Sequence, residues 1–100
     1  MNTQGENKDL KFYNKEGVKV YEYYTYSDGD WYECTFDEKG NMLTYKDSYG
    51  YWSEYTYDDK GNKLTFKNSK GYWYESTYDE KGNLLTFKDS SGASKKNRKI

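Results

Sequence analysis

The chain has 100 residues, enough for one domain at most, and a formal net charge of −1. Only 33% of it is apolar, and most of that is aromatic, with 14 Tyr, 4 Phe and 3 Trp. An aliphatic core is therefore excluded, and any core must be built from rings whose hydroxyls stay wet or bonded. His and Pro are absent and Cys34 is the only cysteine. This excludes an internal disulfide, a Cys–His pair and a Cys/His metal set, gives no reason to expect a cofactor, and bars no strand from a sheet interior.

In chain order, residues 1–9 read as a flexible N-terminus without the basic-then-apolar pattern of a signal segment, and no later apolar run approaches membrane length. A soluble, cytoplasmic protein with no membrane partner is the expectation. Residues 10–92 read as a single domain and residues 93–100 as a flexible basic tail holding Lys95, Lys96, Arg98 and Lys99. Before that tail, 17 acids face 12 bases, which argues against duplex nucleic acid as a partner.

The domain is repetitive. DEKGNMLTYKDSYGYWSEYTY starts at Asp37, DDKGNKLTFKNSKGYWYESTY at Asp58, and DEKGNLLTFKDSSG at Asp79, a spacing of 21 residues. Upstream, Gly29–Phe36 matches the second half of the unit, and the stretch before it is a degenerate copy. Each unit has two turn signals, Asp-(Glu/Asp)-Lys-Gly-Asn and Ser-x-Gly, separated by short runs of Thr, Tyr, Phe and Trp. Eight strands are predicted, at 10–13, 18–26, 30–36, 42–47, 51–57, 63–68, 72–78 and 84–88. Short connections make them antiparallel neighbours, so the expected fold is all-β: a meander of 21-residue hairpin repeats, curled or barrel-like.

Loop lengths that keep like side chains on one face set the registers. A four-residue loop at Asp58–Gly61 places Tyr55 opposite Leu64 and Thr56 opposite Lys63. A three-residue loop at Ser69–Gly71 places Phe66 opposite Tyr74 and Lys67 opposite Trp73. One face then carries Tyr, Leu and Phe, among them Tyr51, Tyr55, Phe66, Tyr72 and Tyr74, with Cys34 as a buried thiol. The other carries Trp31, Trp52 and Trp73 in one row with Lys46, Lys67 and Lys88, where Lys stems over indoles offer cation–π contacts. Next come a row of Glu33, Glu54 and Glu75 with Thr44, Thr65 and Thr86, and a row of Thr35, Thr56 and Thr77 near Met42, Lys63 and Leu84. The Tyr/Leu/Phe face is too apolar to stay wet, so it must be covered by curling, by homodimerisation or by a partner.

The run Tyr78-Asp79-Glu80-Lys81-Gly82-Asn83-Leu84, with Tyr57-Asp58 and Gly61-Asn62 matching it again, resembles the YD repeat of RHS and teneurin proteins. That resemblance covers about residues 29–92 and implies β-hairpin repeats, which in that family build shells. Three repeats are too few to enclose a cargo, and short phage and bacterial arrays of this pattern are nearer in scale. Gly29-Asp30-Trp31-Tyr32 and Gly71-Tyr72-Trp73-Tyr74 are also similar to choline- and glucan-binding wall repeats, which implies ligand binding by aromatic side chains.

No catalytic set is visible. The Glu33/Glu54/Glu75 row reads as a solvated ladder, and Asp37, Asp58 and Asp79 as turn acids that bond their own backbone rather than calcium ligands. The functional expectation is a non-enzymatic protein-binding module, an inhibitor or adaptor of phage or mobile-element type that occludes a host protein. Its binding residues would be Trp31, Trp52, Trp73, Tyr51, Tyr72, Lys46 and Lys67. The alternatives are a small-ligand platform for sugars, choline-like amines or nucleotides, with anions favoured by the lysines, and a self-assembling structural protein.

Overall fold

A computed structural model describes residues 8–96. Nine strands run in one antiparallel meander: β1 (Lys8–Tyr13), β2 (Lys19–Thr25), β3 (Trp31–Phe36), β4 (Met42–Asp47), β5 (Trp52–Tyr57), β6 (Lys63–Asn68), β7 (Trp73–Tyr78), β8 (Leu84–Asp89) and β9 (Ser94–Lys96). Their hydrogen-bonded order is their chain order, so the sheet has β1 and β9 as its ends and is not a closed barrel. No helix occurs among the described residues. Contacts divide the chain into two compact units, residues 1–52 and 53–100. Of the expected flexible ends, residues 1–7 and 97–100 lie outside the described residues, while Lys8 and Asp9 open β1 and Ser94–Lys96 forms β9.

All eight turns share one construction. At Asp58 the backbone N–H donates to the Asn62 carbonyl at 3.0 Å, and the Gly61 N–H returns to the Asp58 carbonyl at 3.0 Å. The same two bonds recur at Asn68–Tyr72 and at Asp89–Ala93. Each loop is therefore a three-residue hairpin whose last loop residue needs positive φ, and glycine supplies it eight times, at +84° to +95°. The residue that opens the turn caps it. Asp58 Oδ1 accepts from the Lys60 and Asn62 amides at 2.9 Å each, and Asn68 Oδ1 accepts from Lys70 and Tyr72 at 3.0 and 3.2 Å. Asp37 and Asp79 do the same, as expected of turn acids.

The registers correct one expectation. Phe66–Tyr74 and Lys67–Trp73 are partners as predicted. Around Asp58, however, Tyr55 pairs with Phe66, Thr56 with Thr65, and Tyr57 with Lys63, with a bulge between Thr56 and Tyr57. A three-residue loop in place of a four-residue one leaves Leu64 as the extra residue. Equivalent bulges follow Thr35 and Thr77, where Leu43 and Leu85 are extra. The correction moves each pairing by two residues, so most side chains keep their face while the rows become diagonal. Trp73 lies across from Lys67, which lies across from Glu54 rather than from another indole. Thr35, Thr56 and Thr77 meet Thr44, Thr65 and Thr86 through hydroxyl pairs at 2.6–2.7 Å, not Met42, Lys63 and Leu84. Lys63 moves to the aromatic face, its ammonium 5.0 Å from the Tyr55 ring.

Within each unit the rings of the aromatic face cover one another in part and are mostly half-buried. In the first, rings step from Tyr24 to Tyr32 to Tyr45 to Tyr51 at 5.8, 6.1 and 6.1 Å. In the second, they step from Tyr55 to Phe66 to Tyr74 to Phe87 at 5.0, 5.5 and 5.6 Å. The most buried side chains share this face: Cys34 at 3%, Ser53 at 2% and Ser76 at 6% exposure. Successive repeats exchange large and small: Tyr32-Glu33-Cys34, then Ser53-Glu54-Tyr55, then Tyr74-Glu75-Ser76. Cys34 faces Tyr45 and Ser76 faces Phe87 across the ladder, so these two small residues each leave room for a ring to lie down. Such ring pairs add about 0.5–1.5 kcal/mol each beyond their buried area.

A Cβ on Gly61 would meet nothing within 4 Å, so Gly61→Ala isolates the backbone term. It should destabilise the protein by about 1–2 kcal/mol in urea unfolding, and Gly61→Asn by less, because Asn tolerates the left-handed region better.

Candidate binding surfaces

The strands place the sequence-predicted binding residues on both sides of the sheet. Trp31, Trp52 and Trp73 each open a strand, β3, β5 and β7. Trp52 and Trp73 remain 39% and 38% exposed. Each indole follows a glycine turn, and Trp31 and Trp73 are fixed by a serine just past the end of the next strand. Ser48 N donates to the Trp31 carbonyl at 2.9 Å while its Oγ accepts from Trp31 N at 3.1 Å, and Ser90 binds Trp73 with the same two distances. This second role of the Ser in Ser-x-Gly was not visible in the sequence, where it read only as a turn residue.

Lys67 stands beside Trp73, but its ammonium is directed elsewhere. Lys46, Lys67 and Lys88 reach Glu33, Glu54 and Glu75 at 3.3, 3.5 and 3.5 Å. A carboxylate across the ladder outcompetes an indole for an exposed ammonium, and such exposed pairs add little stability. The cation–π contacts of Lys19 and Lys63 are to Phe36 and Tyr55, not to tryptophans. Tyr51 and Tyr72 lie on the other face, against Tyr45 at 6.1 Å and Phe66 at 6.0 Å. Tyr72 also donates to Asp89 at 3.0 Å. The structure thus brings Trp73 and Lys67 together and sets Tyr72 behind them.

A second feature escaped sequence reasoning because it joins two turns. Between the Tyr26–Asp30 turn and the Asp47–Tyr51 turn of the first unit is a cavity of about 340 Å³. Tyr26, Tyr32, Tyr45 and Tyr49 supply rings, and Asp28, Asp30 and Asp47 supply carboxylates. Tyr49 Oη donates to Asp30 at 2.6 Å, Ser48 Oγ donates to it at 3.1 Å, and Tyr45 Oη donates to Asp47 at 3.0 Å. The Tyr49 hydroxyl foremost, then Ser48, holds Asp30 below the ordinary carboxylate range. Three lysines of this unit are directed elsewhere: Lys11 to Asp9 and Glu22, Lys19 to Glu22, and Lys46 to Glu33. A groove of about 390 Å³ along β7–β9 is lined by Glu75, Lys88 and Lys95 among others, so its charge is mixed.

Cys34 is buried, and desolvation foremost, with the Glu22 charge next, pushes its thiol up to about 11. A thiol held protonated under rings is a packing group rather than a nucleophile. Among the described residues no cluster of three or more His, Cys, Asp or Glu could hold a metal ion, and no helix is long and apolar enough to cross a membrane. In comparisons with known proteins, no family model and no curated protein matches the chain.

Burial foremost, then Asp47, pushes the Tyr45 hydroxyl up to about 12, and burial with the Glu22 charge does the same for Tyr32. Because the folded values lie above the ordinary value near 10, folding favours the protonated hydroxyls. Their contribution is complete below pH 10 and is lost as pH rises through about 12. Tyrosinate absorbance should therefore show a late-titrating class near pH 12 that disappears in urea, and Tyr45→Phe should shrink that class.

Proposed function

We propose that the chain is a non-enzymatic protein-binding module that acts by occluding a surface of its partner, as an inhibitor or adaptor. The observation that carries this reading is Trp73, 38% exposed and held at the start of β7 by two hydrogen bonds to Ser90. Tyr and Trp offer large contact areas with few rotatable bonds, and fixing them in advance lowers the ordering cost of association. Trp52, 39% exposed and also first in its strand, presents a second exposed indole.

A second reading has its own observation. The ring-lined cavity between the 26–30 and 47–51 turns, with its three carboxylates, suits an organic cation, either free or as a side chain of a partner. This favours the amine version of small-ligand binding over the anionic one.

One experiment with two arms tests both. Affinity capture from a cell lysate should return a stoichiometric protein with the wild type and lose it with Trp73→Ala, whose circular dichroism should be unchanged. Capture of nothing, or capture indifferent to Trp73, Tyr72 and Trp52, contradicts the module. In the other arm, tetramethylammonium and spermidine should perturb Trp31 fluorescence, and Asp30→Asn should abolish the response; no response removes the second reading.

A further inference from the structure

The β1–β2 hairpin inverts the polarity of the faces found elsewhere. Leu10 pairs with Tyr23 and Phe12 with Tyr21, and Tyr21 and Tyr23 in turn pair with Thr35 and Glu33. The tryptophan side of the sheet therefore ends in an apolar patch, with Leu10 47% and Phe12 57% exposed. Phe12 stacks on Tyr21 at 5.4 Å, and Tyr23 contacts Trp31 at 6.0 Å. All six residues of β1 are exposed, and among the described residues its outer edge has no strand beside it. Exposed apolar side chains along a free edge are the features that natural sheets usually suppress.

We propose that this edge is an interface between two copies of the chain, formed by antiparallel pairing of β1 with β1. The backbone fixes which residues can meet. Lys8 N donates inward to Thr25 Oγ1 at 2.7 Å, so alternation turns the amides of Asp9 and Lys11 outward. An antiparallel partner must then place outward residues opposite outward residues. Setting Asp9 against Asp9 or Lys11 against Lys11 opposes like charges. Setting Asp9 against Lys11 of the second copy opposes unlike charges twice by symmetry and joins the two Asp9–Lys11 ion pairs, 2.8 Å within each strand, into one four-charge network. The same register puts Leu10 against Leu10 and Lys8 against Phe12 of the second copy, so apolar and cationic side chains meet productively on the other face.

The opposite end of the sheet lacks this self-complementarity. β9 is Ser94-Lys95-Lys96, and pairing it with itself sets lysine near lysine. The interface at β1 is therefore isologous and closes as a dimer instead of growing into a filament. One strand edge is small beside the roughly 1,200–2,000 Å² of stable complexes, so the dimer is reversible and depends on concentration.

The test uses the full chain with Cys34→Ser as background. Sedimentation should show a concentration-dependent rise from 12.0 kDa towards twice that mass. Under mild oxidation Leu10→Cys should form a disulfide-linked dimer, because Leu10 faces its symmetry mate in a close, non-hydrogen-bonded pair, whereas Phe12→Cys should not. Asp9→Lys should abolish dimerisation, and Asp9→Lys with Lys11→Asp should restore it. Four results would each overturn the proposal: a monomer at every concentration, growth beyond the dimer, equal cross-linking at positions 10 and 12, or a dimer indifferent to Asp9→Lys.

Discussion

Cys34, Ser53 and Ser76 are the most deeply buried side chains although each is small, and Cys34 and Ser76 lie directly across from the rings of Tyr45 and Phe87. A chain with 14 Tyr and few aliphatic residues has no other material for a core. Rings can pack along a sheet only if some positions yield space, and the alternation of Tyr-x-small with small-x-Tyr provides it. The half-buried rings keep their hydroxyls at the margin, where Tyr32 meets Glu22, Tyr45 meets Asp47 and Tyr72 meets Asp89. No described buried side-chain polar atom lacks a partner, so this polar core carries no uncompensated desolvation.

That packing depends on register, and register is set at the turns. Eight glycines in the left-handed region close eight identical loops, most of them opened by an Asp or Asn whose side chain takes up two backbone amides. A bulge follows in β3–β4, β5–β6 and β7–β8, and it makes the rows of side chains diagonal. The function proposed for the chain rests on the same frame. Trp73 is presented at a strand start by bonds that the Ser90 turn supplies, while the ring face behind it, Tyr72 included, holds the strand in place.

Much of this could be read from the residues. The Asp-x-Lys-Gly-Asn and Ser-x-Gly signals located the turns, and period-two alternation sorted Trp73 and Lys67 from Phe66 and Tyr74. The bulge at Leu64 could not be read, because a four-residue loop without a bulge and a three-residue loop with one put nearly the same residues on each face. Ser-Lys-Lys has little strand propensity, so β9 was invisible: its pairing with β8 follows the Asp89–Ala93 loop, not its own side chains. The inverted polarity of Leu10 and Phe12 was hidden because the first repeat is degenerate. The cavity between two turns was hidden because Asp30 and Tyr49 are 19 residues apart in sequence.

The exchange of large and small residues can be tested at constant composition. Swapping the two positions in Ser53→Tyr with Tyr55→Ser gives β5 the order found in β3 and β7. It removes the Tyr55 ring from Phe66 and Lys63 and forces a ring into the most buried site. The measurement is urea unfolding of this double variant beside the wild type. Ring-over-small packing predicts a loss of about 3 kcal/mol or more, from a large-to-small change at one position and overpacking at the other. Stability equal to the wild type would contradict it.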